Sequence, residues 1–177
     1  LSSTSTRNHH TDGPKANHTL KIVLDQSDGA RHTTVDHLLR LAKSSDAPTC
    51  SAIVNSWIDN TKWMPRIHPP DLIAQMIKDG IPKREFWVIG DPVVGYLSFN
   101  VEAQQIMGLY VSHPGIGLGK ALLDQVKLGK SYIKLWSHSA NTAAHRFYLR
   151  EGFKILGNEK IGSDGIKEIC FEWVRKI

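Results

Sequence analysis

The sequence predicts a protein of the α/β class (α+β), folded as a single domain. Three observations predict it. Short apolar runs with the two-residue period of strands alternate with stretches that have the 3.6-residue period of amphipathic helices. A glycine-rich turn joins one apolar run to a helix. With 177 residues, 41% of them hydrophobic, the chain can also bury one substantial core.

The charge and the cysteine content of the chain indicate which ligands and which cellular setting to expect. The formal net charge of +5 favours an anionic ligand, but the basic residues form no run or stripe typical of nucleic-acid binding. Cys50 and Cys170 lack the spacing of metal or redox sites, which predicts a reducing, cytoplasmic setting. Since no apolar run approaches the ~18 residues that span a bilayer, and no signal-peptide core is seen, no membrane partner is expected. The oligomeric state, including a homodimer, is left open.

Residues 1–36 are predicted to be a poorly ordered extension of the domain at 37–177. They are rich in Ser, Thr, His and Asn and contain one strand-like run, Leu20 to Leu24. His9 and His10 lack the spacing of metal ligands, and no metal site is predicted.

The first half of the predicted domain alternates strand and helix patterns. A short apolar strand, Leu38 to Ala42, precedes Ser44-Ser45-Asp46, whose side chains can cap the next helix. That helix carries an apolar stripe from Cys50 to Trp57 at helical spacing, and a second helix is predicted over Asp71 to Asp79.

The segment between these two helices, residues 59–70, is a proline-rich loop that carries large apolar and cationic side chains. Such loops often form the walls of binding sites, so Trp63, Met64, Arg66 and His68 are candidate substrate-binding residues. Trp63 and Met64 could instead cover the edge of the core. Arg66 can form a bidentate pair with a substrate carboxylate.

The second half begins with a predicted hairpin, Arg84 to Ile89 and Val93 to Asn100, around a Gly-Asp-Pro turn, with Leu97 and Phe99 on one face and Tyr96 on the other. Gln104 to Val111 is apolar on both faces, which favours a central strand. The remaining predicted elements are a helix from Lys120 to Lys130, a strand from Tyr132 to Trp136, a helix from Asn141 to Glu151, and strands from Phe153 to Leu156 and from Lys167 to Val174 that pair across the turn Gly162-Ser163-Asp164-Gly165. On the first of these helices, Lys127 and Lys130 are either solvated or in contact with a phosphate.

The turn after the central strand, residues 114–120, has glycines at every second position and precedes a helix. Glycines allow backbone N–H groups to converge on a ligand, and a helix N-terminus adds free amides, so the turn predicts an anion site for phosphate. A P-loop would need glycine at 114 and Ser or Thr at 121, where Pro114 and Ala121 stand. A dinucleotide fingerprint would place its third glycine at Lys120 or Leu122.

The chain carries two linked motifs in this region. The first is Leu109-Tyr110-Val111 followed by Gly117-x-Gly119-Lys120-Ala121-Leu122-Leu123, and the second is Asn141-x-x-Ala144-x-x-Phe147-Tyr148-x-x-x-Gly152-Phe153. Together they resemble the GNAT acetyltransferase superfamily, over roughly Leu38 to the C-terminus. Pro114 departs from the family pattern, which usually has Gln or Arg at this place.

The resemblance implies a mixed, mostly antiparallel sheet flanked by helices, with acetyl-coenzyme A as cosubstrate and no metal. It also implies the residues that would bind the coenzyme. These are Leu109, Tyr110, Val111, Gly115, Ile116, Gly117, Leu118, Gly119, Lys120, Ala121, Asn141, Ala144, Phe147 and Tyr148.

The resemblance further implies the roles of single groups in direct transfer of acetyl to an amine. Asn141 would hydrogen-bond the pantetheine arm or a water, and the small Ala144 would let the arm pass. Phe147 would pack against neighbouring structure, while Tyr148 would protonate the departing thiolate. Backbone N–H groups around Leu109 to Val111 would polarise the thioester carbonyl.

The general base is less determined. Glu102, Tyr110, His113, Asp59 and His68 are all candidates, and Glu102 is favoured because it precedes the central strand.

The predicted function is therefore N-acetyl transfer to a primary amine, with the 59–70 loop favouring a small molecule. A protein N-terminus or lysine as acceptor, and a non-catalytic acyl-coenzyme A binding module, are the alternatives.

Overall fold

The computed structural model describes the backbone of residues 18–24 and 33–37 and the full structure of residues 38–177. Residues 1–17 and 25–32, including His9 and His10 of the predicted extension, lie outside the described residues. The strands and helices in chain order are β1 (His18–Leu24), β2 (Thr33–Leu41), α1 (Ala47–Asn60), α2 (Pro70–Gly80), β3 (Glu85–Ile89), β4 (Gly95–Asn100), β5 (Gln105–Val111), α3 (Leu118–Lys127), β6 (Tyr132–His138), α4 (Thr142–Arg150), β7 (Lys154–Ile161) and β8 (Lys167–Val174).

The strands form one sheet in the order β1-β2-β3-β4-β5-β6-β8-β7. Every neighbouring pair is antiparallel except β5 and β6, which are parallel. The predicted mixed, mostly antiparallel sheet flanked by helices is thus confirmed. The strand-like run 20–24 lies within β1, which pairs with β2 along its whole length.

Two irregularities in the middle of the sheet position the site. Ser98 pairs with Gly108 and Phe99 with Ile106, so Met107 is the extra residue of a bulge in β5. Such a bulge bends the strand and increases its twist. β5 and β6 pair only between the start of β5 and the middle of β6, where Gln105 is opposite Lys134 and Ile106 is opposite Leu135. The two strands separate beyond this point, and the separation opens a cleft in the sheet.

Two apolar clusters lie on opposite faces of the sheet. One joins the sheet to α3 and α4 and includes Leu97, Phe99 and Leu122, all at most 1% exposed. The other lies under α1 and α2 and includes Cys50 and Tyr96. The hairpin pattern predicted this division, because alternate residues of a strand point to opposite faces.

Several element boundaries differ from the sequence prediction. α3 ends at Lys127 rather than Lys130, because Gly129 adopts a left-handed conformation with φ of 73°. β7 extends past Leu156 to Ile161, so the final hairpin is longer than its apolar residues indicate. β6 likewise continues two residues beyond Trp136.

Asp46 has a different role from the predicted cap. Its carboxylate binds the Arg40 guanidinium through two hydrogen bonds of 2.7 and 2.8 Å and accepts the Lys43 N–H at 2.7 Å. The helix start receives no side-chain hydrogen bond from Asp46. Asp46 therefore attaches the start of α1 to the end of β2.

Among the helices in the described part of the chain, none is long and apolar enough to cross a membrane. The described residues also contain no group of three His, Cys, Asp or Glu side chains placed to hold a metal ion.

Candidate active site

A cleft of about 670 Å³ lies between the separated ends of β5 and β6, within the size range of small-molecule sites. β5 and β6 form two of its walls, and the glycine turn with the start of α3 and one side of α4 form the others. The cleft is lined by Trp57, Ile106, Met107, Gly108, Leu109, Tyr110, Val111, His113, Pro114, Gly115, Gly117, Leu118, Gly119, Lys120, Leu135, Trp136, Ser137, His138, Asn141, Ala143, Ala144, Phe147, Tyr148 and Arg150.

The glycine turn presents backbone donors to one end of the cleft. Gly115 and Gly117 have φ values of 86° and 89°, which are strained for residues with a side chain. Gly117 is the N-cap of α3, and its carbonyl accepts the Ala121 N–H at 3.0 Å. The amides of Gly119 and Lys120 precede this first helical bond, so they are free to bind an anion together with the helix dipole.

Twelve of the fourteen predicted coenzyme-binding residues line the cleft, and two do not. Ile116 packs against the main core, and Ala121 is buried within it at 5% exposure. Their side chains therefore help to hold the turn in place, while their neighbours face the cleft. Glycine at 115 has open space where a side chain would be.

Helix α4 supplies the opposite wall. The Asn141 side chain accepts the Ala144 N–H at 3.2 Å and caps the helix, which sets the direction in which α4 leaves β6. Asn141, Ala144, Phe147 and Tyr148 all line the cleft, as the spacing of three and seven residues predicts for one helical face.

Tyr148 lies where α4 meets the core. It is 7% exposed, and its ring is 5.5 Å from Phe153 and 5.9 Å from Phe171 between centroids. Burial, with a smaller contribution from Tyr110, raises the pKa of Tyr148 well above its ordinary value. The phenol is therefore protonated at neutral pH, as a proton donor must be.

Aromatic rings close the other end of the cleft. Trp57 of α1 lies 5.4 Å from Tyr110 of β5 and 5.7 Å from Trp63, both edge to face. Trp63 lies 5.9 Å from His138, the last residue of β6. This series of rings bridges the gap between β5 and β6. We call Trp57, Trp63, Tyr110 and His138 the aromatic bridge.

None of the predicted substrate-binding residues Trp63, Met64, Arg66 and His68 lines the cleft, and Trp63 reaches it only through its contacts with the Trp57 and His138 rings. Trp63 belongs to the aromatic bridge. Met64, the next residue in the chain, is half-buried. Arg66 is occupied: its guanidinium binds Asp59, the side chain and carbonyl of Asn55, and the His68 carbonyl. Arg66 thus fixes the loop to α1, and four of its five N–H donors are used there. His68 is exposed and is not a cleft residue.

Glu102 lies in the turn before β5, at the end where β5 and β6 are still paired. A strand rises about 3.3 Å per residue, so about 17 Å separates Gln105 from Tyr110 along β5. Glu102 is exposed and does not line the cleft. The structure does not bring it to the acceptor end.

Lys127 and Lys130, considered from sequence as solvated lysines or as phosphate ligands, are used elsewhere. Lys127 donates to the Glu151 carbonyl at 2.7 Å and lies over the Phe153 and Trp173 rings. Lys130 pairs with Glu85 at 2.7 Å. Of the lysines near the turn, Lys120 is the one that lines the cleft, where its ammonium pairs with Asp124 at 2.8 Å.

Sequence inspection missed His138 and its partner Asp164. His138 Nε2 lies 2.9 Å from Asp164 Oδ2, although 26 positions separate them in the chain. Asp164 was recognised only as part of a Gly-Ser-Asp-Gly turn. The one local signal was a histidine at the end of a strand, three residues before the Asn141 motif.

Comparison with known proteins agrees with this geometry. The family model described as an acetyltransferase (GNAT) domain matches residues 82–155, which include the glycine turn, α3 and α4. The peptidyl-lysine N-acetyltransferase YiaC of Escherichia coli K12 is 25% identical over 131 residues, which are 67% of this chain and 84% of that protein.

Solved structures show the same fold at lower identity. The structure of yncA, a putative acetyltransferase from Salmonella typhimurium with its cofactor acetyl-CoA, superposes with a TM-score of 0.60 at 20% identity, covering 78% of this chain and 93% of that one. An N-acetyltransferase from Staphylococcus aureus Mu50 superposes with a TM-score of 0.63 at 20% identity, covering 79% and 99%.

The matched region contains both motifs, and the fold places these motifs on facing walls of one cleft. The family match over residues 82–155 and the shared fold together support membership of the GNAT superfamily of acetyltransferases.

Proposed function

We propose that this acetyltransferase transfers the acetyl group of acetyl-coenzyme A directly to a primary amine of a small molecule. The observation that carries the proposal is one continuous cleft, which is lined by the glycine turn, the protonated Tyr148 and three rings of the aromatic bridge, those of Trp57, Tyr110 and His138. These parts correspond to the three things that the reaction needs: an anchor for the coenzyme, an acid for the leaving thiolate and a pocket for the acceptor.

The coenzyme fits the walls by chemistry. Its pyrophosphate would bind the free amides of Gly119 and Lys120 at the positive end of α3. Lys120 adds a cation there, although its ammonium is partly neutralised by Asp124. The pantetheine arm would lie in the gap between β5 and β6, along Ala144 and beside the side of β5 that has no strand next to it.

The chemical step follows from the same residues. The amine nitrogen attacks the thioester carbonyl carbon, and backbone N–H groups of β5 at 109–111 stabilise the negative charge that develops on oxygen. The C–N bond forms, the C–S bond breaks and the thiolate takes the Tyr148 proton. Since the sequence contains no nucleophile motif, no covalent enzyme intermediate is invoked.

A small acceptor is favoured by the way the acceptor end is enclosed. The aromatic bridge spans β5 to β6, and Arg66 fixes the loop that carries Trp63 to α1. Because the Arg66 guanidinium is already bonded, we propose that it does not bind a carboxylate of the acceptor. Trp63 and Met64 would instead contact the acceptor through their apolar surfaces. His68, at the end of the same loop, would contact only a larger acceptor.

A lysine side chain of a protein is the second candidate acceptor. The similarity to the peptidyl-lysine N-acetyltransferase YiaC favours it, since a lysine is also a primary amine on an apolar stem. The two candidates differ in the length of polypeptide that must reach the aromatic bridge.

The test combines binding with turnover. Acetyl-coenzyme A should raise the thermal midpoint of the protein, because a ligand that binds only the native state stabilises it, whereas adenine nucleotides alone should raise it less. A screen of small amines and of lysine peptides should then reveal an acceptor. Tyr148→Phe should keep the coenzyme shift but lower kcat by about 10²-fold or more.

Tyr132→Phe is the matched control, since Tyr132 lies at the opposite end of β6 and outside the cleft. It should retain both binding and turnover. No thermal shift at millimolar acetyl-coenzyme A would refute the proposed function. If the protein acetylated lysine peptides but none of the small amines, the acceptor would be a protein lysine instead of a small molecule.

A further inference from the structure

We propose that His138, oriented by Asp164, is the general base that removes the proton from the attacking amine. This inference rests on the proposed function and assigns the one catalytic group that the sequence left undetermined. It is carried by the position of the His138 ring in the cleft and by its contact with a fixed carboxylate.

The hydrogen bond to Asp164 determines which imidazole nitrogen can act. Asp164 Oδ2 lies 2.9 Å from His138 Nε2, and Asp164 Oδ1 accepts the Ile166 N–H at 2.9 Å. The carboxylate is thereby held in one orientation. It accepts the Nε2 proton of a neutral imidazole, which leaves the lone pair on Nδ1. Within residues 38–177 no hydrogen bond engages that Nδ1 atom.

The Asp164 carboxylate is ionised under the conditions in which an acetyltransferase works. Burial raises the pKa of Asp164, but the hydrogen bonds from His138 and from the Ile166 N–H outweigh burial, and the resulting pKa is below the ordinary value. A nearby anion stabilises the imidazolium that forms when His138 takes a proton. The arrangement of a base held by a carboxylate is the one that activates nucleophiles in many enzymes.

The position of His138 suits an acceptor at the aromatic bridge. His138 is the last residue of β6, and both His138 and Leu109 of β5 line the cleft, where the backbone of β5 would face the thioester. Trp63 lies edge to face with the His138 ring. An ammonium bound against the Trp57 and Trp63 faces would be stabilised by cation–π interaction until it loses its proton.

The charged groups around His138 come from every element packed against it. From β8, Glu168 lies opposite His138 in the strand register, but its carboxylate pairs with Lys160 of β7 at 3.5 Å. From α4, His145 Nε2 lies 3.1 Å from the His138 carbonyl. Asp164 in the β7–β8 turn is the carboxylate in direct contact with the ring.

Other candidate bases are placed less well. His113 lines the cleft beside the glycine turn, and its Nδ1 lies 2.9 Å from the exposed Ser112 hydroxyl, so its ring is not held by a carboxylate. Asp59 is bound to Arg66 and exposed. Tyr110 is half-buried, and desolvation raises its pKa, which opposes its action as a base at neutral pH.

The step balances with the groups present. An acceptor that arrives as an ammonium first loses one proton to solvent. From the neutral amine, His138 Nδ1 takes one proton as the C–N bond forms, and Tyr148 gives one proton to the thiolate as the C–S bond breaks. After product release the imidazolium returns its proton to solvent and the phenolate regains one, so both groups start the next cycle in their first state.

The first experiment measures the pH dependence of kcat for the wild type, His138→Gln and Asp164→Asn with a strongly basic alkylamine acceptor. The wild type should lose activity on the acidic side, where the base is protonated. His138→Gln should lower kcat by about 10²-fold to 10⁴-fold and remove that acidic limb. Asp164→Asn should lower kcat less and move the limb, because it removes only the orienting charge. Asp79→Asn, an exposed carboxylate on α2, is the control and should change neither.

A second acceptor separates a base from a structural residue. An arylamine that is unprotonated at neutral pH loses its proton easily after attack, so His138→Gln should slow its acetylation far less than that of the alkylamine. An equal loss with both acceptors, or a retained acidic limb, would overturn the assignment of His138 while leaving the proposed function intact. Loss of the limb in Glu102→Gln instead would assign the base to Glu102. A wild type that binds acetyl-coenzyme A but acetylates no amine would overturn both.

Discussion

A Cβ atom placed on Gly119, in the first turn of α3, would lie 3.4 Å from the ring of Phe147 on α4. These two helices form facing walls of the cleft, so the absence of a side chain at 119 sets how closely they approach. The Phe147 ring in turn lies edge to face with Tyr148 at 5.2 Å. The glycine motif and the Asn141 motif therefore meet directly, at one contact.

The first prediction concerns this contact. Gly119→Leu should push Phe147 aside and weaken acetyl-coenzyme A binding by about tenfold or more, equivalent to about 1.4 kcal/mol. Gly119→Ala is the graded control, since one methyl group makes an ordinary contact there and alanine favours a helix. It should bind nearly as the wild type. Calorimetric titration gives both dissociation constants, and equal binding by all three proteins would show that the contact does not shape the cleft.

The second prediction separates two effects of a substitution at Gly117: the backbone strain of a side chain at positive φ, and the loss of acetyl-coenzyme A binding. Gly117→Ala and Gly129→Ala both place a side chain at positive φ, 89° and 73°, and each should lower the free energy of unfolding by about 1 kcal/mol. Only Gly117 borders the cleft. Denaturant unfolding should show similar losses, whereas titration should show weaker acetyl-coenzyme A binding in Gly117→Ala alone. Weakened binding in both would mean that the effect is one of stability.

The third prediction concerns the ion pair of Arg40 and Asp46, whose side chains are 20% and 11% exposed. The hydrogen bonds from Arg40 outweigh desolvation and hold the pKa of Asp46 below its ordinary value. A lowered carboxylate pKa in the folded state stabilises the protein above the unfolded pKa and ceases to do so as the pH falls through the folded pKa. Asp46→Asn should therefore lower the free energy of unfolding by about 1–3 kcal/mol at pH ~7.

Urea unfolding at pH ~7 and at progressively lower pH below ~4 checks this, because the difference between Asp46→Asn and the wild type should shrink on acidification. Asp79→Asn removes an exposed carboxylate and should leave the free energy of unfolding nearly unchanged at both neutral and acidic pH. A difference that stays constant with pH would assign the effect to packing instead of charge.

The fourth prediction concerns alkaline stability. Tyr96 is 4% exposed, and burial raises its pKa well above the ordinary value. In the unfolded chain this phenol ionises near pH ~10, whereas in the folded protein it stays neutral to higher pH, so the free energy of unfolding should fall as pH rises above ~10. Tyr96→Phe should reduce the slope of this fall. Parallel slopes for the two proteins would show that Tyr96 ionises equally in both states.

The sequence predicted those features that depend on interactions between residues close together in the chain. The alternation of Tyr96 with Leu97 and Phe99 correctly divided the two cores, because a strand's period is local. The one-sided spacing of Asn141, Ala144 and Tyr148 placed them in one cleft for the same reason. The end of α3 was misplaced because Lys127 and Lys130 fit a helix equally well, and the left-handed Gly129 decided the boundary.

Groups whose roles depend on distant partners could not be assigned this way. Arg66 looks like a free cation in the chain, but the fold brings Asn55 and Asp59 of α1 to it. Glu102 stands just before the central strand, yet the parallel pairing places it at the closed end of that strand.

The sequence by itself determined the class of fold, the glycine turn and the helix face that lines the cleft, because glycine conformations and helical or strand periods act between near neighbours in the chain. Only the tertiary structure decided where β5 and β6 separate, that the rings of Trp57, Trp63 and Tyr110 meet, and that Asp164 contacts His138. Such contacts join segments far apart in sequence, and their geometry is set by strand order and register, which local patterns do not encode.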